Sequence, residues 1–303
     1  MSHFHPDLAF AARFLPRFSI GPRLLRIARR LMRDPAPPRS TPGVSASLRQ
    51  IPGAGTARVF VPTGVTGPMP ALLWVHGGGF IFGTPAQDDA LATTFARELG
   101  LIVVAPSYRL APEHPFPAAI DDLYATLAWL HTSAGELHIR PDRIAVAGAS
   151  AGGGLAAGLA LLARDRGQIP LAFQLLVYPM LDDRTVDRTI DGANHRLWTA
   201  GSNRFGWTSY LGRTPGGADV PVYAAPARAG TLAGLPPTWI GVGTFDLFHD
   251  EDVAYARRLA DAGVPVELEV VPGVFHGFDV LRRANVSRNF VAAQVAALRR
   301  ALA

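Results

Sequence analysis

Seven short apolar runs, at 57–61, 71–75, 101–105, 144–147, 172–178, 238–242 and 266–271, punctuate the chain. Helix-like stretches near 86–99, 118–133, 151–164, 251–262 and 284–302 fall among them. Leu101-Ile102-Val103-Val104 and Leu175-Leu176-Val177 are apolar at every position, as strands covered on both faces must be. Strands that alternate with helices pair through right-handed crossovers, so the pattern predicts an α/β fold on a mostly parallel sheet. No internal repeat interrupts it.

Composition agrees with a large buried core. Of 303 residues, 49% are hydrophobic and only 17% charged, which excludes a disordered chain. No apolar run approaches the roughly 18–20 residues that a bilayer requires, so no stable membrane insertion is expected. Met1-Ser2-His3-Phe4-His5-Pro6-Asp7 lacks the basic-then-apolar order of a secretory signal, and the expected compartment is the cytoplasm. The absence of cysteine excludes disulfides, zinc–thiolate sites and cysteine nucleophiles.

The net charge of +5 is a local property. Residues 1–40 hold eight arginines against Asp7 and Asp34, a net of +6, while the remainder is close to neutral. That distribution argues against a nucleic-acid partner. In the arm, Leu24, Leu25, Ile27, Ala28, Leu31 and Met32 interleave with Arg23, Arg26, Arg29, Arg30 and Arg33, the pattern of an amphipathic helix ended by Asp34-Pro35-Ala36-Pro37-Pro38. It either packs on its own protein, the expected outcome, or lies on a membrane surface. A second segment outside the alternation, 182–222, is polar, Gly-rich and aromatic. The chain therefore divides into a cap arm (1–45), a first core part (46–181), a cap insertion (182–222) and a second core part (223–303).

Candidate chemistry centres on Gly148-Ala149-Ser150-Ala151-Gly152, directly after an apolar run and ahead of Gly153-Gly154-Leu155-Ala156. A strand that turns sharply into a helix crowds its own backbone, so the flanking positions must lack a Cβ. Such a turn raises the serine hydroxyl clear of the sheet over a helix N-terminus that favours negative charge. The bland alternative is a glycine-lined turn with an inert N-cap serine.

Context decides against inertness. His76-Gly77-Gly78-Gly79-Phe80 follows another strand, and amides of Gly78 and Gly79 together with Ala151 could receive a developing oxyanion, with His76 and Gly77 shaping the turn. A serine needs a base and the base needs a carboxylate. His276 follows the last strand and Asp246 the one before it, giving the order Ser150, Asp246, His276 of an α/β-hydrolase. Asp250, Glu251 and Asp252 read as N-cap and first-turn acids of the next helix, His249 follows Asp246 too closely to face it, and His195 reads as a channel or surface residue. Phe80, Phe82, Trp198, Phe205, Trp207 and Tyr210 are candidate pocket walls. No metal site is expected, because neither a His-x-x-x-His pair nor calcium-loop spacing occurs. Residues 148–154 also lack the ribose-binding acid of a dinucleotide fingerprint.

With these pieces placed, the chain resembles the hormone-sensitive-lipase family of α/β-hydrolases, bacterial carboxylesterases in particular. The resemblance rests on His76-Gly77-Gly78-Gly79, Gly148-Ala149-Ser150-Ala151-Gly152-Gly153 and Tyr108-Arg109-Leu110-Ala111-Pro112-Glu113-His114-Pro115-Phe116-Pro117-Ala118. It continues through Tyr178-Pro179, Gly234-Leu235-Pro236-Pro237, Asp246 with Asp250-Glu251, and His276-Gly277-Phe278. It implies an eight-stranded, largely parallel sheet with a small helical cap, a frequent homodimer, and cofactor-free hydrolysis of short to medium acyl esters through an acyl-enzyme at Ser150. The same catalytic groups would serve an amide, formamide or lactone, and a non-catalytic ligand receptor is the remaining alternative. Two positions depart from the pattern: Ala149, where members commonly carry Asp or Thr, and Leu247, where Pro is usual.

Overall fold

The computed structural model describes residues 4–32, 36–188 and 192–303. Eight strands form one sheet: β1 (Val44–Ile51), β2 (Gly55–Pro62), β3 (Met69–Val75), β4 (Ile102–Pro106), β5 (Ile139–Ala149), β6 (Phe173–Val177), β7 (Thr238–Phe245) and β8 (Val266–Phe275). Their order is β1-β2-β4-β3-β5-β6-β7-β8. The pairs β1/β2 and β2/β4 are antiparallel and every other pair is parallel. The α/β fold with its mostly parallel eight-stranded sheet is thus present.

Strand alternation feeds two cores. On β3, Ala71, Leu73 and Val75 face one hydrophobic cluster while Leu72 and Trp74 face the other. Helices α1 (Pro22–Leu31), α2 (Asp89–Leu99), α3 (Ala118–Thr132), α4 (Ala151–Arg166), α5 (Ala200–Leu211), α6 (His249–Asp261) and α7 (Asn285–Leu302) complete the order. Leu123 of α3, Leu159 of α4 and Leu259 of α6 fill the first cluster, and Phe95 of α2 with Phe290 of α7 the second. Burying one such side chain stabilises the fold by about 1.5–3 kcal/mol, so these two layers hold the sheet between them.

Strand β1 is absent from the seven apolar runs read in the sequence. It lies at the sheet edge and buries only Val44 and Ile51, so its interior residues carry no apolar signal. Within 182–222 the structure places α5, capped by Thr199, whose hydroxyl takes the Ser202 N–H. The arm helix is α1, and the expected stop signal at Asp34-Pro35 and the residues Met1-Ser2-His3 lie outside the described residues. Among the described residues no helix is long and apolar enough to cross a membrane.

Candidate active site

Strand β5 ends at Ala149 and α4 begins at Ala151, leaving Ser150 alone in the turn at φ 57° and ψ −123°. A Cβ on Gly148 would strike the Gly152 carbonyl, and one on Gly152 would strike the Val75 carbonyl of β3. Both glycines are therefore required by the sharpness of the turn. The Ser150 N–H donates to the Val177 carbonyl at 2.9 Å, which ties the turn to β6.

The relay is continuous. Ser150 Oγ donates to His276 Nε2 at 2.9 Å, and His276 Nδ1 donates to Asp246 Oδ2 at 2.9 Å and Oδ1 at 3.1 Å. All three residues are buried. Asp246 follows β7 and also accepts the Phe248 N–H at 2.9 Å, a bond that aims its carboxylate. His276 follows β8, and aromatic edges hold its ring: Tyr178 at 4.8 Å and Phe248 at 5.1 Å, both T-shaped. Since a carboxylate can only accept, Nδ1 carries the proton and Nε2 presents a lone pair to Ser150.

The glycine turn after β3 faces this relay. A Cβ on Gly77 would lie 3.0 Å from the Ala149 carbonyl and 3.4 Å from Ser150 Cβ, so the turn passes directly beside the nucleophile strand. Among the described residues no backbone carbonyl accepts the N–H of Gly78, Gly79 or Ala151, three donors left open at one place. His76 is buried and donates from Nδ1 to the Gly77 carbonyl at 2.8 Å, while its ring stacks on Tyr108 at 4.3 Å. Burial pulls its pKa down to about 4, so it holds the turn as a neutral ring.

A family model described as the α/β-hydrolase fold matches residues 72–280. The chain belongs to the hormone-sensitive-lipase family of α/β-hydrolases. This hydrolase is 40% identical over 228 residues to carboxylesterase NlhH of Mycobacterium tuberculosis, a match covering 73% of the chain and 70% of that protein. It is 36% identical over 216 residues to an ethyl acetate hydrolase of Pseudomonas putida, covering 69% and 65% respectively. A solved bacterial heroin esterase superposes with a TM-score of 0.89 at 41% identity, over 99% of this chain and 98% of that one.

The aromatic residues of the hydrolase separate into two groups. Trp198 lies against Gly79, where a Cβ would enter its ring, and its ring centroid is 6.5 Å from that of His276, with Phe82 6.4 Å from Trp198. Phe80, Trp207 and Tyr210 instead pack on one another, with Phe80 stacked 4.1 Å from Tyr210 and 5.1 Å from Trp207. All three are fully buried, while Phe205 is half-buried against the same core. All four belong to or pack against the hydrophobic cluster that also holds Trp198.

Other groups near the site match their sequence reading only in part. Phe248, not an acid, is the N-cap of α6, while Asp250, Glu251 and Asp252 all lie in its first turn as the sequence reads them, Asp250 exposed and paired with His249. Glu251 and Asp252 are buried. Glu251 accepts the N–H groups of Leu181 at 2.7 Å and Asp182 at 3.1 Å, and the Thr185 hydroxyl, so it bonds to the loop after β6. His195 is buried, not at the surface. Tyr178, whose hydroxyl donates to Asp279 at 2.7 Å, was visible only as part of Tyr178-Pro179, with no hint that it backs His276.

Proposed function

We propose that this chain is a serine carboxylic-ester hydrolase that works through an acyl-enzyme. The observation that carries this reading is the unbroken Ser150–His276–Asp246 relay beside three unpaired backbone donors. Ser150 Oγ attacks the ester carbonyl carbon as its proton passes to His276 Nε2, and Asp246 holds the resulting imidazolium. The carbonyl oxygen becomes an oxyanion and accepts from the N–H groups of Gly78, Gly79 and Ala151. Collapse expels the alcohol, which takes the proton from Nε2. Water then repeats the sequence in reverse on the acyl-serine and releases the acid.

The substrates are small-molecule esters with short to medium acyl chains, and the reaction calls on no cofactor or metal. Residues 46–181 and 223–303 make the catalytic core, with 1–45 and 182–222 as a cap, and a cytoplasmic enzyme without a nucleic-acid partner fits the charge distribution. Relatives named as a carboxylesterase, an esterase, an ethyl acetate hydrolase and a heroin esterase favour this over amide, formamide or lactone hydrolysis and over a non-catalytic receptor.

Replacing Ser150 by Ala tests the reading. Turnover of a small aryl ester should fall by roughly 10⁴-fold or more while circular dichroism stays that of the parent. Wild-type turnover in the Ser150→Ala protein would overturn it.

A further inference from the structure

Most of the large apolar side chains that face solvent lie on the N-terminal arm. Phe10 (75%), Phe14 (75%), Phe18 (61%), Ile27 (55%) and Leu31 (80%) are exposed, and Leu24 joins them. Exposed apolar residues scattered singly need no explanation, but six within 22 residues do. The Phe10 and Phe14 rings are 5.3 Å apart, so they already form a small cluster.

Helix α1 is divided lengthwise. Leu25, the one buried apolar residue, and Arg29 point inward, and Arg29 donates to the carbonyls of Ile81 at 2.7 Å and Ala111 at 2.6 Å. Leu24, Ile27 and Leu31 share one outer stripe by their i, i+3, i+7 spacing. Arg23, Arg26 and Arg30, exposed and one residue back from each, form the adjacent stripe. Arg13 and Arg17 are exposed between the phenylalanines. Two described carboxylates near the arm are engaged: Glu113 pairs with Arg29 at 2.8 Å, and Asp7 accepts the Val286 N–H at 2.9 Å.

We propose that the outer surface of this arm docks on an anionic lipid surface. Phenylalanine, leucine and isoleucine enter the headgroup boundary, and the arginine stripe stays at the phosphates. A second copy of the chain is the poorer occupant, because a two-fold contact through this face would bring the exposed arginines of both copies together, and Asp7, the one carboxylate among the described residues of the arm, is already bonded to Val286. A soluble polyanion would use the arginines and leave the three phenylalanines in water. Docking is peripheral and requires no spanning segment. It turns the arm and the insertion bonded to it toward the lipid, so that esters dissolved in the membrane surface are presented at the cap.

The full-length protein is mixed with vesicles of phosphatidylcholine alone or with added phosphatidylserine, and the bound fraction is measured by sedimentation. Binding to the phosphatidylserine vesicles is expected, with little to phosphatidylcholine. Two triple variants, Phe10→Ser/Phe14→Ser/Phe18→Ser and Arg23→Gln/Arg26→Gln/Arg30→Gln, should each lower the partition coefficient by roughly tenfold or more. All six positions are exposed, and size-exclusion elution with thermal melting confirms that each variant is folded. No binding to anionic vesicles, or equal binding to both kinds, overturns the proposal. So does loss in the arginine variant alone, which marks a polyanion site. A wild-type dimer that becomes monomeric in the phenylalanine variant overturns it in favour of a second copy.

Discussion

A methyl group added to Gly79 would enter the ring of Trp198, and Gly79 itself holds φ 58°, a conformation that costs an L-residue roughly 1–2 kcal/mol. Gly79 is also one of three residues whose N–H meets no backbone carbonyl among the described residues, so steric relief there would move a proposed oxyanion donor. Gly79→Ala is therefore expected to lower kcat/KM on a small ester by about 100-fold, the usual consequence of losing one oxyanion donor. The cause can be separated from the backbone strain. Pairing it with Trp198→Ala removes the ring that the methyl meets, and the double variant should recover at least about tenfold of the loss, a non-additive cycle. Strict additivity of the two substitutions would show that Trp198 is not what the methyl displaces. The glycine triplet was legible as a tight turn after a strand because glycine is what such a turn demands. Its dependence on Trp198 was not, since that residue arrives from a segment more than 100 positions away and only tertiary packing sets it there.

Helix α6 illustrates how an element can be located in sequence and still be misjudged in its chemistry. The acids at its start suit the positive end of a helix dipole, which is why they read as caps. In the structure only Asp250 stays in water, while Glu251 turns into the protein and gathers the N–H groups of Leu181 and Asp182 and the hydroxyl of Thr185. Burial pushes its pKa up to about 8, against opposing pulls from those donors. A folded-state pKa above the unfolded value near 4.5 means that the folded protein holds the proton more tightly. Stability is then lost as pH climbs through the window from about 4.5 to about 8. Glu251→Gln copies the protonated form, with an oxygen for the two amides and an NH₂ for Thr185. It should melt close to the parent at pH 5 and above it at pH 8.5, by an amount on the order of a few kcal/mol. Equal melting differences at both pH values would show that Glu251 is ionised throughout. Strands tell a related story: the runs covered on both faces announced themselves, whereas β1 at the edge, with two buried residues, gave no periodic signal. Within the insertion, read as part of a small helical cap, the span of α5 was not marked, because Gly201, Asn203 and Gly206 dilute its pattern.

At the scale of the molecule, hydrogen bonds join the arm to the insertion, whose Trp198 lies against the glycine turn. Arg196 donates to the Ala12 carbonyl at 2.6 Å, the Leu197 N–H to Pro16 at 3.1 Å, and the Ile20 N–H to Ser202 Oγ at 2.8 Å. Leu197 precedes Trp198, so the arm helps fix the ring that covers Gly79. From below, Arg29 grips the Ile81 carbonyl two residues beyond that glycine. The chain order of Ser150, Asp246 and His276 could be read directly because each follows a strand end. The hydrogen bonds between the arm and the insertion span about 180 residues, which no local pattern records. Deleting residues 1–40, which end before β1, should therefore leave Ser150 reactive toward a serine-directed phosphonate. The deletion should also loosen Trp198, and discrimination among acyl chains should weaken. Measured as kcat/KM over a series of aryl esters of increasing chain length, the truncated enzyme is expected to show a flatter profile, with the ratio between best and worst substrates falling roughly tenfold. A truncated enzyme that keeps the parent profile would show that the insertion alone shapes the pocket and that the arm serves only its outer surface.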